Sequence, residues 1–258
     1  MARFLEPSAS TRFDCPVRRW ALMTAVLAPV SLIVGWVVAG AVQQGEYDPA
    51  KQTISVLAGH SASDRWIMTL GLCVLGTSQI LTAVGLSFGP RRARILLAVG
   101  GVMGLGVAIF PQPPHGSAAI HMVFATLSIT MLAVWPATIA SREPSLPRVL
   151  SIRGSRQATA ILICLLAWLF VAGHGGGALG IAERVDTAVA NSWPLVVILA
   201  IRRHSARDLS HRSPDAVLTA LRPSHHQRHH GRPGGLEPRA HSLSQPEQVS
   251  VASLERSP

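Results

Sequence analysis

Residues 20–42 read WALMTAVLAPVSLIVGWVVAGAV, 23 consecutive residues without a charged side chain. At about 1.5 Å of rise per residue, a helix of roughly 20 apolar residues crosses the hydrocarbon core of a bilayer. A cleaved signal peptide has a shorter apolar core followed by a small-residue cleavage site. The stretch therefore predicts a retained membrane-spanning helix, with Pro29 as a point of bending.

Further runs of the same kind follow. Trp66–Phe88 is uncharged throughout, and a shorter run extends from near Ile95 to Phe110. Within the latter, Gly100 and Gly104 form a small-xxx-small pair that lets a neighbouring helix come close. The fourth run, Ala118–Ala140, carries His121, and the fifth, Ala158–Gly173, ends against Gly175, Gly176 and Gly177. The sixth starts near Ile181, holds Glu183, Arg184 and Asp186 on its first turns and Pro194 further in, and stops at Ile201. These runs predict an all-α membrane protein, a six-transmembrane-helix bundle over residues 20–201.

Composition agrees. The chain is 48% hydrophobic and 14% charged, with a mean hydropathy of +0.34, whereas soluble domains are roughly 25% charged. The net charge of +10 does not point to nucleic acid, because the arginines lie between apolar runs and beyond the last one. The bilayer is the expected partner, and the oligomeric state is left open. Three cysteines, Cys15, Cys73 and Cys164, give an odd count without a close pair, which argues against a disulfide framework. Residues 202–258 are rich in Arg, His, Ser and Pro without apolar periodicity and read as a disordered tail. Its tract His225, His226, His229 and His230 would bind metal weakly and unselectively.

Lys and Arg fix the expected orientation. The segment 1–19 holds four, the connection after the second run three, and the one after the fourth run four. The alternate connections hold two (Lys51 and Arg65), none, and one (Arg184). By the positive-inside rule both termini are expected in the cytoplasm, in a multi-pass plasma-membrane protein.

The opposite side collects the residues capable of chemistry. Asp48 precedes Pro49, an N-cap pattern that predicts a short interfacial helix from Pro49 to Leu57 ended by Gly59. Asp64 would cap the second span in the same way, while His60 and His174 flank glycines. His121 lies about one turn inside the fourth span, where a polar side chain faces the bundle and needs a partner. Glu183 and Arg184 are adjacent and so point in different directions on a helix, with Arg65 expected to pair with Glu183, and Asp48 or Glu46 with Arg184. Asp48, His121, Glu183 and Arg184 are thus the primary candidates for one outward-facing polar pocket. His60, Asp64, His174 and Asp186 are secondary, and His121, His174 and Glu183 are the residues that could hold a metal. No phosphate-binding GxxxxGK[ST], HExxH or CxxC motif occurs.

Several of these residues sit in short motifs. Tyr47-Asp48-Pro49 is followed by Thr53-Ile54-Ser55-x-Leu57; Ile109-Phe110-Pro111 ends the third span; His121 follows in the fourth; and Gly180-Ile181-Ala182-Glu183-Arg184 precedes Trp193. In these, residues 20–201 resemble the bacterial integral membrane proteins grouped as domain-of-unknown-function family 998. The resemblance implies a six-helix membrane protein and no established activity. Three functions remain in view: a membrane protein whose polar pocket binds a lipid or small ligand, a metal-assisted hydrolase acting on lipid headgroups, and a b-type haem protein using His121 and His174. No cofactor is assigned, and whether the protein is an enzyme is left open.

Overall fold

A computed structural model describes residues 17–116, 118–175 and 177–211, with backbone alone for the last four. Among them seven helices form and no strand. They are α1 (Arg19–Ala41), α2 (Ile54–Leu57), α3 (Arg65–Gly85), α4 (Arg91–Ile109), α5 (Ala119–Thr138), α6 (Ile152–Gly173) and α7 (Leu179–His211), with a 3-10 turn at Arg148–Leu150. All but α2 are long and apolar enough to cross a membrane. Large apolar side chains stand exposed around the bundle, among them Met23 at 72% and Phe170 at 67%, a surface suited to lipid and costly in water. The protein is a multi-pass membrane protein.

The six long helices close a ring in chain order, α1–α3–α4–α5–α6–α7, with α7 returning to α1. Two glycines bring the backbones of α3 and α4 together. A Cβ on Gly76 would lie 2.7 Å from the carbonyl oxygen of Gly101, and one on Gly101 would lie 2.6 Å from that of Gly76. The expected Gly100–Gly104 pair also lies against neighbouring helices, with Ser128 of α5 donating to the Gly100 carbonyl at 3.1 Å. Gly100 faces Leu132 of α5, and Gly104 has ordinary room. The ring thins around α6, which packs sparsely on both neighbours.

Three boundaries differ from the sequence expectation. α4 begins at Arg91 rather than Ile95, α6 at Ile152 rather than Ala158, and α7 runs to His211 rather than Ile201. Arginines end an apolar run without ending a helix, because their long stems let the guanidinium reach polar surroundings. Arg94, inside α4, donates to the carbonyls of Ala83 (3.1 Å) and Val84 (3.4 Å), free acceptors in the last turn of α3. Ser151 caps α6 by accepting the Gly154 N–H at 3.1 Å. The arginines of the 18–19, 91–94, 142–156 and 202–203 stretches flank one end of the bundle, and α2 lies at the other. The expectations for residues 1–16, and for the His-rich tail beyond His211, lie outside the described residues.

One buried apolar cluster lies toward the arginine end, around Leu86, Leu97, Trp135, Leu150 and Ile198. Another lies toward the α2 end, around Leu32, Leu57, Met68, Leu72 and Val107. Between them runs a seam of uncharged polar groups: Gln79 donates to Asn191, and the hydroxyls of Thr24 and Thr82 meet at 2.8 Å.

Candidate functional site

The segment before α2 is shaped by two adjacent residues of α7. Arg184 donates from Nη1 to the carbonyls of Pro49 (2.8 Å), Gln52 (2.9 Å) and Gly180 (2.8 Å), and from Nη2 to the Tyr47 hydroxyl. Its guanidinium also lies 6.0 Å from the Tyr47 ring centroid. Glu183 turns to the other side of the segment, accepting the Ile54 N–H at 2.5 Å and the Ser55 hydroxyl at 3.4 Å. The Ala50 carbonyl in turn accepts the N–H groups of Gly180 (3.0 Å) and Ile181 (3.2 Å). A side chain on Gly180 would collide with the carbonyl oxygens of Pro49 and Gln52, so a glycine is needed where the two backbones meet.

This explains why the expected helix from Pro49 to Leu57 shrinks to Ile54–Leu57. The carbonyls of Pro49, Ala50 and Gln52 are engaged by α7. Asp48 still takes a capping role, but of a turn. Its Oδ1 accepts the Ala50 N–H at 2.9 Å, its backbone oxygen accepts Lys51 N and Gln52 N, and Lys51 Nζ lies 3.2 Å from Oδ2. The Ala50 N–H first, and Lys51 second, hold the Asp48 carboxyl below the usual aspartate range. Burial raises the Tyr47 phenol above its ordinary value, against the opposing pull of Arg184.

The expected ion pairs give way to these contacts. Arg184 meets carbonyls and a phenol rather than Asp48 or Glu46, and Arg65 lies 2.7 Å from His60 Nδ1 rather than against Glu183. Asp64 stands at the N-cap position of α3 without a capping bond and instead accepts the Trp66 indole N–H at 3.2 Å.

Beneath this segment lies a cavity of about 490 Å³ bounded by residues of α2, α5, α6 and α7. Met122, Ala125, Ile129, Leu166, Leu169 and Leu179 make it largely apolar, and Thr53, Ser55, Gln112, His121, Glu183 and Thr187 supply polar groups. His121 is 1% exposed. Its Nδ1 lies 2.7 Å from the Phe110 carbonyl oxygen, while Nε2 is buried without a partner. A carbonyl only accepts, so Nδ1 carries the proton, and in a neutral ring Nε2 is then an acceptor. The buried Gln112 Oε1 also lacks a partner. Exposed His174 borders the cavity, its Nδ1 2.8 Å from the Phe170 carbonyl and its ring 4.3 Å from the Phe170 ring.

A second chamber of about 60 Å³ shares Ser55, Ala125, Ile129, Glu183 and Thr187 with the first and adds Ser128 and Asn191. Glu183, Thr187 and Asn191 recur every fourth residue, making one polar row down α7. Thr187 Oγ1 donates to the Glu183 carbonyl at 2.6 Å, and Asn191 Nδ2 to that of Thr187 at 2.7 Å. Sequence reasoning passed over Thr187, Asn191, Gln79, Ser55 and Gln112. The four-residue spacing on α7 was the available signal.

Of the four primary candidates, His121 and Glu183 share the cavity, whereas Arg184 and Asp48 do not line it. Asp186 is buried on α7 with Oδ2 unpartnered, away from both chambers. His60 lies in the loop beyond α2, where its backbone N–H donates to Gln112 O at 3.0 Å. His121, His174 and Glu183 border one space, yet among the described residues no group of three His, Cys, Asp or Glu is placed to hold a metal ion.

No curated protein and no solved structure matches the chain. A family model does match, over residues 26–200, which takes in part or all of each of the six long helices and every residue of the cavity. The chain belongs to the family described as Protein of unknown function (DUF998).

Proposed function

We propose that this protein sits in the plasma membrane with both termini in the cytoplasm and binds an amphiphilic ligand in the cavity under the α2 segment. The observation that carries the reading is the combination in that cavity. A largely apolar space of about 490 Å³ has the buried, unpartnered Nε2 of His121 in its wall. Its volume lies in the range of about 300–1,000 Å³ usual for small-molecule sites. An unpartnered polar atom at membrane depth costs free energy that a ligand recovers by bonding to it. The pocket is thus smaller than the four sequence candidates suggested: His121 and Glu183 face the ligand, while Arg184 and Asp48 build the roof. The alternating Lys and Arg distribution supports the orientation, with the cavity on the outward side.

The test is recovery of ligand. Protein purified in nanodiscs formed directly from cells would be analysed by native mass spectrometry and lipid extraction. A stoichiometric amphiphile is expected with the parent and at least a tenfold loss with His121→Gln at unchanged expression and thermal transition. Equal occupancy in the parent, His121→Gln and Glu183→Gln would sink the reading. Reporter fusions after Arg94 and Arg153 should report cytoplasm, and one at Gln112 the outside; a cytoplasmic signal at Gln112 would invert the orientation.

A further inference from the structure

We infer that the cavity selects an amphiphile whose head group donates hydrogen bonds, a hydroxyl or a primary amine, and discriminates against phosphate and carboxylate heads. The inference rests on the amphiphile-binding reading above and specifies the chemistry of its polar end.

The polar groups in the wall are chiefly acceptors. His121 Nε2 is one, because Nδ1–H is committed to the Phe110 carbonyl. Gln112 Oε1 is another, buried and unpartnered, while its Nε2 approaches Met122 Sδ at 3.8 Å. The Glu183 carboxylate adds lone pairs beyond those used by Ile54 N and Ser55 Oγ. The hydroxyl protons of Ser55 and Thr187 are directed to the carboxylate and the backbone carbonyl of Glu183, so neither is aimed at a ligand. Thr53 and Thr126 are the remaining hydroxyls and can serve either way.

Among the described residues no Lys or Arg lines the cavity. Arg184, the nearest in sequence, spends Nη1 and Nη2 on Tyr47 and on the carbonyls of Pro49, Gln52 and Gly180. Lys51 is paired with Asp48, and Arg65 with His60. A phosphate would therefore meet the acceptors of Glu183, His121 and Gln112 without a counter-charge, and burying a charge that has no partner is strongly unfavourable. A hydroxyl or ammonium meets partners at each of them. The apolar wall of α5 and α6, with Met122, Ile129, Leu166 and Leu169, takes the alkyl chain.

The experiment is competition against radiolabelled monooleoylglycerol bound to the purified full-length protein. Competitors are unlabelled monooleoylglycerol, oleylamine, oleyl phosphate and glycerol. Monooleoylglycerol and oleylamine should displace the label, oleyl phosphate should require at least a tenfold higher concentration, and glycerol should fail for want of a chain. Gln112→Lys, which places a cation in the wall, should narrow or invert the preference between monooleoylglycerol and oleyl phosphate. Displacement by oleyl phosphate at the same concentration as monooleoylglycerol in the parent would overturn the head-group inference and leave the amphiphile reading intact. Displacement by glycerol as effective as by monooleoylglycerol would keep the donor chemistry and overturn the amphiphile. No specific retention of monooleoylglycerol or oleylamine, tested directly with label, would overturn both.

Discussion

The chain contains a single lysine, Lys51, and it lies in the segment held by Arg184. A lysine-specific protease therefore has one site, and cleavage there reports whether the segment has left α7. The Lys51 side chain is 71% exposed, but a protease needs several residues of extended backbone. Here Pro49 O, Ala50 O, Gln52 O and Ile54 N are all engaged by α7. Cleavage thus proceeds through local opening, and its rate follows the population of the open form when reclosing is fast. Arg184→Gln removes charged donors to Pro49 O, Gln52 O and the Tyr47 hydroxyl. Hydrogen bonds to a charged group contribute about 1.5–3 kcal/mol each. Water replaces part of that at a membrane end and the bonds are not additive, so a combined loss of about 2–3 kcal/mol is expected. At about 1.4 kcal/mol per factor of ten, cleavage should accelerate on the order of 30- to 100-fold. The assay is the appearance of the two fragments on a gel from protein in nanodiscs, with Lys51→Arg as the uncleavable control. A rate for Arg184→Gln within threefold of the parent would refute the reasoning, because it would mean that Arg184 does not hold the segment.

Gly180→Ala should lower the thermal transition in detergent and speed the same cleavage, at a cost of about 1–3 kcal/mol, because the new methyl meets the carbonyls of Pro49 and Gln52. Gly101→Ala should destabilise the α3–α4 contact by a similar 1–3 kcal/mol, since its Cβ would sit 2.6 Å from Gly76 O; an unchanged transition would mean these helices can separate freely. Asp48 has a carboxyl held below its ordinary value in the folded state. Its contribution is therefore present above the unfolded value and lost as pH falls through the folded one. Between about pH 5 and pH 3 the parent's thermal transition should fall more than that of Asp48→Asn, and parallel curves would contradict this.

The spans could be read because most are long uncharged runs, such as residues 20–42 or 66–88, while the third is shorter and the sixth carries Glu183, Arg184 and Asp186 near its start. Their ends could not, since Arg91, Arg94 and Arg153 lie inside helices and Arg94 reaches over to the carbonyls of α3. His121 was found by depth alone: an imidazole one turn into an apolar helix has few reasons to be there. The fate of Asp48 and Arg184 was hidden. The Asp-Pro pattern marks a turn or a helix start equally well, and only α7, more than a hundred residues away, decides between them by engaging the carbonyls of Pro49, Ala50 and Gln52. Arg184 was expected to seek a carboxylate, yet backbone oxygens held in a tight turn serve a guanidinium fork as well. The row Glu183, Thr187, Asn191 was visible in the spacing but gained meaning only when Gln79 of α3 was found against it.

The clasp between Ile54 and Glu183 joins residues 129 apart, and that between Tyr47 and Arg184 joins residues 137 apart. Chains are made from the N-terminus, and early segments leave the ribosome well before late ones. The turn at Asp48–Gln52 therefore emerges long before α7 exists, and its carbonyls must rest on water or headgroups meanwhile. Five helices can be in the bilayer while the roof of the cavity is still loose. Arrival of Gly180, Glu183 and Arg184 ends that interval, since the three engage one nine-residue stretch, residues 47–55. α7 thus completes both the roof of the cavity and the ring of helices. A chain damaged in α7 would leave an unlatched loop and a gap in the ring for membrane quality-control proteases to find.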